Sequence, residues 1–245
     1  GYLDKRRLAW LKAELASGQA NNQLMIIASH IPIGVSAIGS HMEWWMGDVN
    51  TKPGHENAVD LAELVEILQS APNLLMWIAG HRHLNTVKAF PSTDETRPER
   101  GFWQVETSSL RDFPQQFRTF EIYLNSDFTV SIETLNVDVA VAEGTPAAQS
   151  RKYAIATQQI IQNNLTLNNH NLATAGGRGT IPIPSIDPTR PQRDDPTALD
   201  PSIRYEDLSV AEVPVPYHAS YNAKLSKPLS AEMMRHLSQA YNFRN

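Results

Sequence analysis

Leu74-Leu75-Met76-Trp77-Ile78-Ala79-Gly80-His81-Arg82-His83 is an apolar run that breaks at a glycine and two histidines. A short apolar run bounded by turn residues fits a strand buried on both faces, as in a parallel sheet. Just upstream, Val59 to Leu68 sets Leu61, Leu64, Val65 and Leu68 on one helical face. Further upstream, Leu24-Met25-Ile26-Ile27-Ala28 is a second apolar run, stopping at Ser29-His30-Ile31-Pro32. Leu3 to Leu15 reads as an amphipathic helix carrying Leu8, Leu11 and Leu15, closed by Ser17-Gly18. The order is helix, strand, helix, strand. That order predicts a parallel crossover unit, with both strands ending on one edge of the sheet. His30, His81 and His83 each sit just past a strand end, on the edge where open parallel sheets bind ligands. Neutral imidazole is a good ligand for zinc, iron, manganese or nickel. Residues two apart face one site if the chain turns between them, and Gly80 is expected to give room for that turn.

Beyond His83 the pattern changes. Phe102 to Thr107, Phe117 to Leu124 and Thr129 to Asn136 read as strands, the last two joined by the hairpin turn Asn125-Ser126-Asp127. Antiparallel strands after a parallel unit predict an α/β protein with mixed sheets. Thr145, with Pro146 behind it, is an N-cap opening a helix to about Gln162. From Asn164 to Pro228 the composition shifts to Pro, Asn, Asp and Gly, which predicts an extended tail. A short helix follows, from the N-cap Ser230 to about Tyr241. The expected division is therefore 1–163 for the main domain and 164–245 for an irregular C-terminal extension. Gly34 to about Asn57, holding His41, Trp44, Trp45 and His55, reads as a long surface loop. Arg111 to Gln116 reads as a structural turn between strands, and Arg82 as a solvated side chain within reach of a phosphate.

The 245 residues carry a formal net charge of -5, which does not favour a general nucleic-acid or anionic-membrane binder. A phosphate substrate is compatible with that charge, because a bound metal supplies local positive potential. With no cysteine, neither a disulfide nor a thiolate metal site can form, and the compartment stays open. The longest apolar run, Leu74 to Ala79, is far shorter than the roughly 20 residues of a membrane-spanning helix. The opening Gly1-Tyr2-Leu3-Asp4-Lys5-Arg6-Arg7 lacks the apolar centre of a signal peptide and reads as a helix under way. The natural N-terminus is expected upstream of Gly1.

Two of these segments carry a family resemblance. Ser29-His30-Ile31-Pro32 resembles the fourth motif of the calcineurin-like metallophosphoesterases, and Gly80-His81-Arg82-His83 resembles their fifth, GHxH. The opening helix with Trp10-Leu11 is similar to the family's helix before the fourth motif. The resemblance spans roughly residues 1–137. More loosely, the whole chain is similar to a bacterial subfamily with a C-terminal extension. It implies a four-layer α/β/β/α sandwich and hydrolysis of a phosphate ester held between two divalent metals of the Mn, Zn, Fe or Ni kind. It further implies that His30 and His81 bind one metal and His83 the other.

The family's first three motifs, DxH, GD and GNH[DE], lie upstream of the histidine motifs and supply carboxylates, an Asn and further histidines. No DxH occurs in this chain, and Gly47-Asp48 and Gly54-His55-Glu56 fall after the fourth motif. The resemblance then implies that the chain is the C-terminal portion of such an enzyme. It would be inactive alone, and completed by an N-terminal half, a second subunit or a homodimer. The rival expectation is a non-catalytic module whose three histidines hold one metal or none and whose tail engages a partner.

Overall fold

The computed structural model describes residues 3–33, 57–59, 61–81, 83, 85–111, 115–163 and 222–241. Helix α1 (Lys5–Ala20) is capped by the Asp4 carboxylate, which accepts from the Arg7 amide at 2.7 Å. It buries Leu8, Leu11 and Leu15, the predicted stripe. The helix runs past Ser17-Gly18, so Gly18 is not its stop. Gly18 is buried, and an added Cβ there would collide with the Met25 sulfur. The glycine lets the first strand pass close to the helix.

Strand β1 (Met25–Ala28), helix α2 (Leu61–Gln69) and strand β2 (Leu74–Ala79) follow. Strand β3 (Thr86–Phe90) comes next, then a single 3-10 turn (Pro98–Arg100) and strand β4 (Phe102–Glu106). They form a four-stranded sheet in the order β1-β2-β4-β3. β1 runs parallel to β2, β2 parallel to β4, and β3 antiparallel to β4. Strands β5 (Gln116–Leu124), β6 (Val130–Asp138) and β7 (Ala223–Lys227) make a separate antiparallel sheet in that order. Helix α3 (Pro146–Asn163) lies between β6 and β7 in the chain, and helix α4 (Ala231–Ala240) follows β7. Thr145 caps α3 by accepting from the Ala148 amide, and Ser230 caps α4 by accepting from Met233. The fold is α/β with one mixed and one antiparallel sheet.

Two apolar layers hold it together. On one face of the mixed sheet, Leu74, Trp77 and Ala79 pack with Leu8, Leu11 and Leu15 of α1 and Leu61, Leu64 and Leu68 of α2. On the other, Leu75, Met76 and Val105 meet Val130 and Ile132 of β6, Leu225 of β7 and Met233 of α4. Leu75 and Met76 share a layer because the β1–β2 register slips there: Met25 pairs with Leu74, but Ile26 pairs with Met76. One extra residue on β2 restores the alternation beyond it. β2 is therefore buried on both faces, as its apolar run predicts. β1 alternates between half-buried and exposed residues, as an outer strand does.

Two further strands correct the sequence reading. β3 lies where no strand was expected. β7 lies inside the expected tail: residues 223–227 pair with β6 along Val130↔Lys227 to Thr134↔Ala223. Residues 164–221 fall outside the described residues, as do His41, Trp44, Trp45, Asp48, His55, Glu56, Arg82, His170 and His218. None of the helices among the described residues is long and apolar enough to cross a membrane.

Candidate metal site

The parallel strands β1, β2 and β4 end level with one another. Ala28 pairs with Ile78, and Ala79 with Glu106. Pairing continues into the loops past those ends. The Ser29 amide donates to Ile78 O at 2.9 Å, Gly80 to His30 O at 3.1 Å, and Thr107 to Ala79 O at 2.7 Å. The Thr107 hydroxyl also donates to Ala79 O at 3.1 Å. Three loops are thus tied edge to edge where the histidines sit.

His30 and His81 meet there. Nε2 of His30 lies 3.1 Å from Nδ1 of His81, one ring nitrogen donating to the other. Their ring centroids are 5.0 Å apart and the planes cross at 81°. His30 is exposed, while His81 and His83 are half-buried. His81 and His83 both adopt left-handed backbone, with φ of 78° and 59°. Non-glycine residues rarely sit there, at roughly 1–2 kcal/mol each. These two residues make the turn that was expected of Gly80. Gly80 has no left-handed φ, and a Cβ added to it would meet its nearest neighbour, Thr107 O, at an ordinary 3.8 Å.

The donor set fits one ion in part. Two imidazole nitrogens about 2.1 Å from a shared zinc and 3.1 Å apart subtend about 95° at it. That angle lies between octahedral and tetrahedral ligation. Among the described residues, however, no group of three or more His, Asp or Glu side chains gathers as metal ligands. The structure brings His30 and His81 together, and His83 lies half-buried two residues further along the same loop.

Sequence reasoning missed the polar residues behind this edge. Glu106, the last residue of β4, is fully buried. The signal was a carboxylate closing an otherwise strand-like Phe102-Trp103-Gln104-Val105. Asn85 links two of the loops: its Oδ1 accepts from the Ser108 amide at 3.1 Å, and its Nδ2 donates to Gln116 Oε1 at 2.8 Å. Gln116 donates on to Asp138 at 2.7 Å, and Asp138 pairs with the buried Arg151. Arg118 donates to Thr134 Oγ1 at 2.6 Å and to Asn85 Oδ1 at 3.3 Å. Burial pulls the Arg118 guanidinium down to about 10, so it stays cationic at neutral pH. Burial also lowers Arg151, partly offset by Asp138. This network anchors the loops after β2 and β4 to the second sheet.

No protein-family model matches the sequence, and no curated protein is similar to it. A solved structure that is similar is a dimetal phosphatase from Danio rerio, at 20% identity and a TM-score of 0.34. The match covers 57% of this chain and 40% of that one, so this chain spans two fifths of that protein's length.

Proposed function

We propose that this chain is the histidine-bearing portion of a metal-dependent phosphoesterase. His30 and His81 hold one divalent ion, and His83 serves a second. The 3.1 Å approach of His30 Nε2 to His81 Nδ1 carries the reading. Support comes from where the pair sits, past the C-terminal ends of parallel strands, and from the left-handed backbone at His81 and His83. A bound divalent ion would supply Lewis acidity toward a phosphate ester. The chain's own part is positional. Gly80, Thr107 and the Asn85 network fix the loops that present the rings, so that little reorganisation accompanies binding. The proposed partners are a phosphate-ester substrate and a second chain or segment beside β1.

A second reading is favoured by one observation: two rings converge without a carboxylate among the described residues. Imidazoles do not neutralise a pair of dications, so a single weakly held metal on a non-catalytic module fits that donor set. One experiment tests the metal site on which both readings depend. The chain is titrated calorimetrically with zinc and manganese and assayed on p-nitrophenyl and bis-p-nitrophenyl phosphate. We expect uptake of one ion, lost in His81→Ala, with negligible turnover by the chain alone. His81-dependent turnover would show that the chain needs no completion. Absence of His81-dependent uptake would overturn the metal reading altogether.

A further inference from the structure

His30 is exposed, so packing does not aim its ring. What holds its backbone lies underneath. Trp77 on β2 and Gln104 on β4 are register partners across adjacent parallel strands, so they share a face of the sheet. That face is the one covered by α1 and α2, since Trp77 packs in their layer. Trp77 is 4% and Gln104 1% exposed. Both direct a polar atom at the short loop that follows His30. The Trp77 indole N–H donates to Ile31 O at 3.0 Å, and Gln104 Oε1 accepts from the Ile33 amide at 2.6 Å. On the other side of His30, Gly80 and Ile78 pin the backbone through His30 O and the Ser29 amide.

We infer that Trp77 and Gln104 are positioning residues for His30, a strap beneath the loop that aims its imidazole at His81. The inference rests on the metal reading and extends it to two side chains that touch no ion. Ile31 O and Ile33 N–H lie beside a buried apolar layer. If either loses its partner, the loop must shift to satisfy it, and the His30 ring shifts with it. Partners that orient a metal ligand from behind typically change affinity about 10- to 100-fold when removed.

The test uses Trp77→Phe, which keeps the packed ring and deletes the N–H, and Gln104→Met, which keeps volume and deletes the acceptor. Leu64→Val, in the same layer but in neither of these hydrogen bonds, is the control for lost stability. Cobalt(II) uptake is read from its visible absorption, with zinc competition for affinity. Contacts between the His30 and His81 rings are read from proton NOEs in metal-free protein. We expect each strap variant to bind at least about tenfold more weakly and to lose the inter-ring NOE, while Leu64→Val keeps both. Two variants keep the test sound should one fail to fold. Wild-type affinity and NOE in both strap variants would overturn the strap alone. An equal loss in Leu64→Val would assign the effect to stability and overturn it too. A wild-type chain that shows the NOE but takes up no metal would overturn the metal reading. The strap is then judged on the NOE alone.

Discussion

At the level of single residues, the site is shaped by backbone that its side chains do not favour. His81 and His83 occupy left-handed φ values of 78° and 59° on either side of Arg82. Glycine adopts such angles without the Cβ clash. His83→Gly should therefore be more stable than His83→Ala, by about 1 kcal/mol. Paired denaturant melts measure the difference. Equal stabilities would mean that the loop relaxes freely and stores no strain. The sequence made the histidines visible because their type and position past a strand are chemical signals. It hid their conformation: Gly80 was the natural candidate for the turn, yet it sits in ordinary backbone while two histidines bend. The Trp77–Gln104 pairing beneath His30 was equally hidden, since it depends on the alignment of two strands separated in sequence.

Among the elements, those stabilised by local periodicity were legible, and those stabilised by partners were not. α1, α2 and β2 announce themselves by apolar spacing, and α3 and α4 by their caps. β7 does not, because Ala223-Lys224-Leu225-Ser226-Lys227 is an unremarkable segment until β6 pairs with it. Its alternation then turns Leu225 and Lys227 inward, both nearly fully buried. Lys227 donates to the carbonyls of Glu99 and Gly101, clamping the 3-10 turn before β4 to the second sheet. Burial pulls the ammonium down from 10.5 to about 8. Between those values the unfolded chain binds a proton that the folded chain releases. Stability must therefore rise with pH across that window, and the penalty is fully present below about pH 8. The slope is at most about 1.4 kcal/mol per pH unit. Lys227→Met removes the titrating group. The wild type should gain on it by about 2 kcal/mol between pH 8 and 10, as followed by urea melts at several pH values. Parallel pH profiles for the two proteins would show that the clamp does not titrate.

For the molecule as a whole, the open question is what lies beside β1. Among the described residues it is the outermost strand of the mixed sheet, and its apolar sequence Met25-Ile26-Ile27-Ala28 suits a strand covered on both sides. Ile26 is 43% exposed, and Ala28 is exposed as well. The Met25 and Ser29 amides point inward, to Asn73 O and Ile78 O. By alternation, the amides of Ile26 and Ala28 face away from the sheet. Such an edge offers both hydrogen-bonding groups and apolar surface to another strand. Its four residues limit what one pairing can contribute, so association should be weak and depend on concentration. We predict that light scattering across a concentration series gives a mass rising above 27.3 kDa. Ile26→Lys should hold the mass at the monomer value, because a lysine on an edge strand resists pairing in water. The substitution alters a side chain at the rim and leaves the inward amides of β1 in place, so metal uptake by His30 and His81 should persist in the monomeric variant. A wild-type mass fixed at 27.3 kDa over the whole series would overturn association at this edge. A variant that associates as readily as the wild type would move the contact to some other surface.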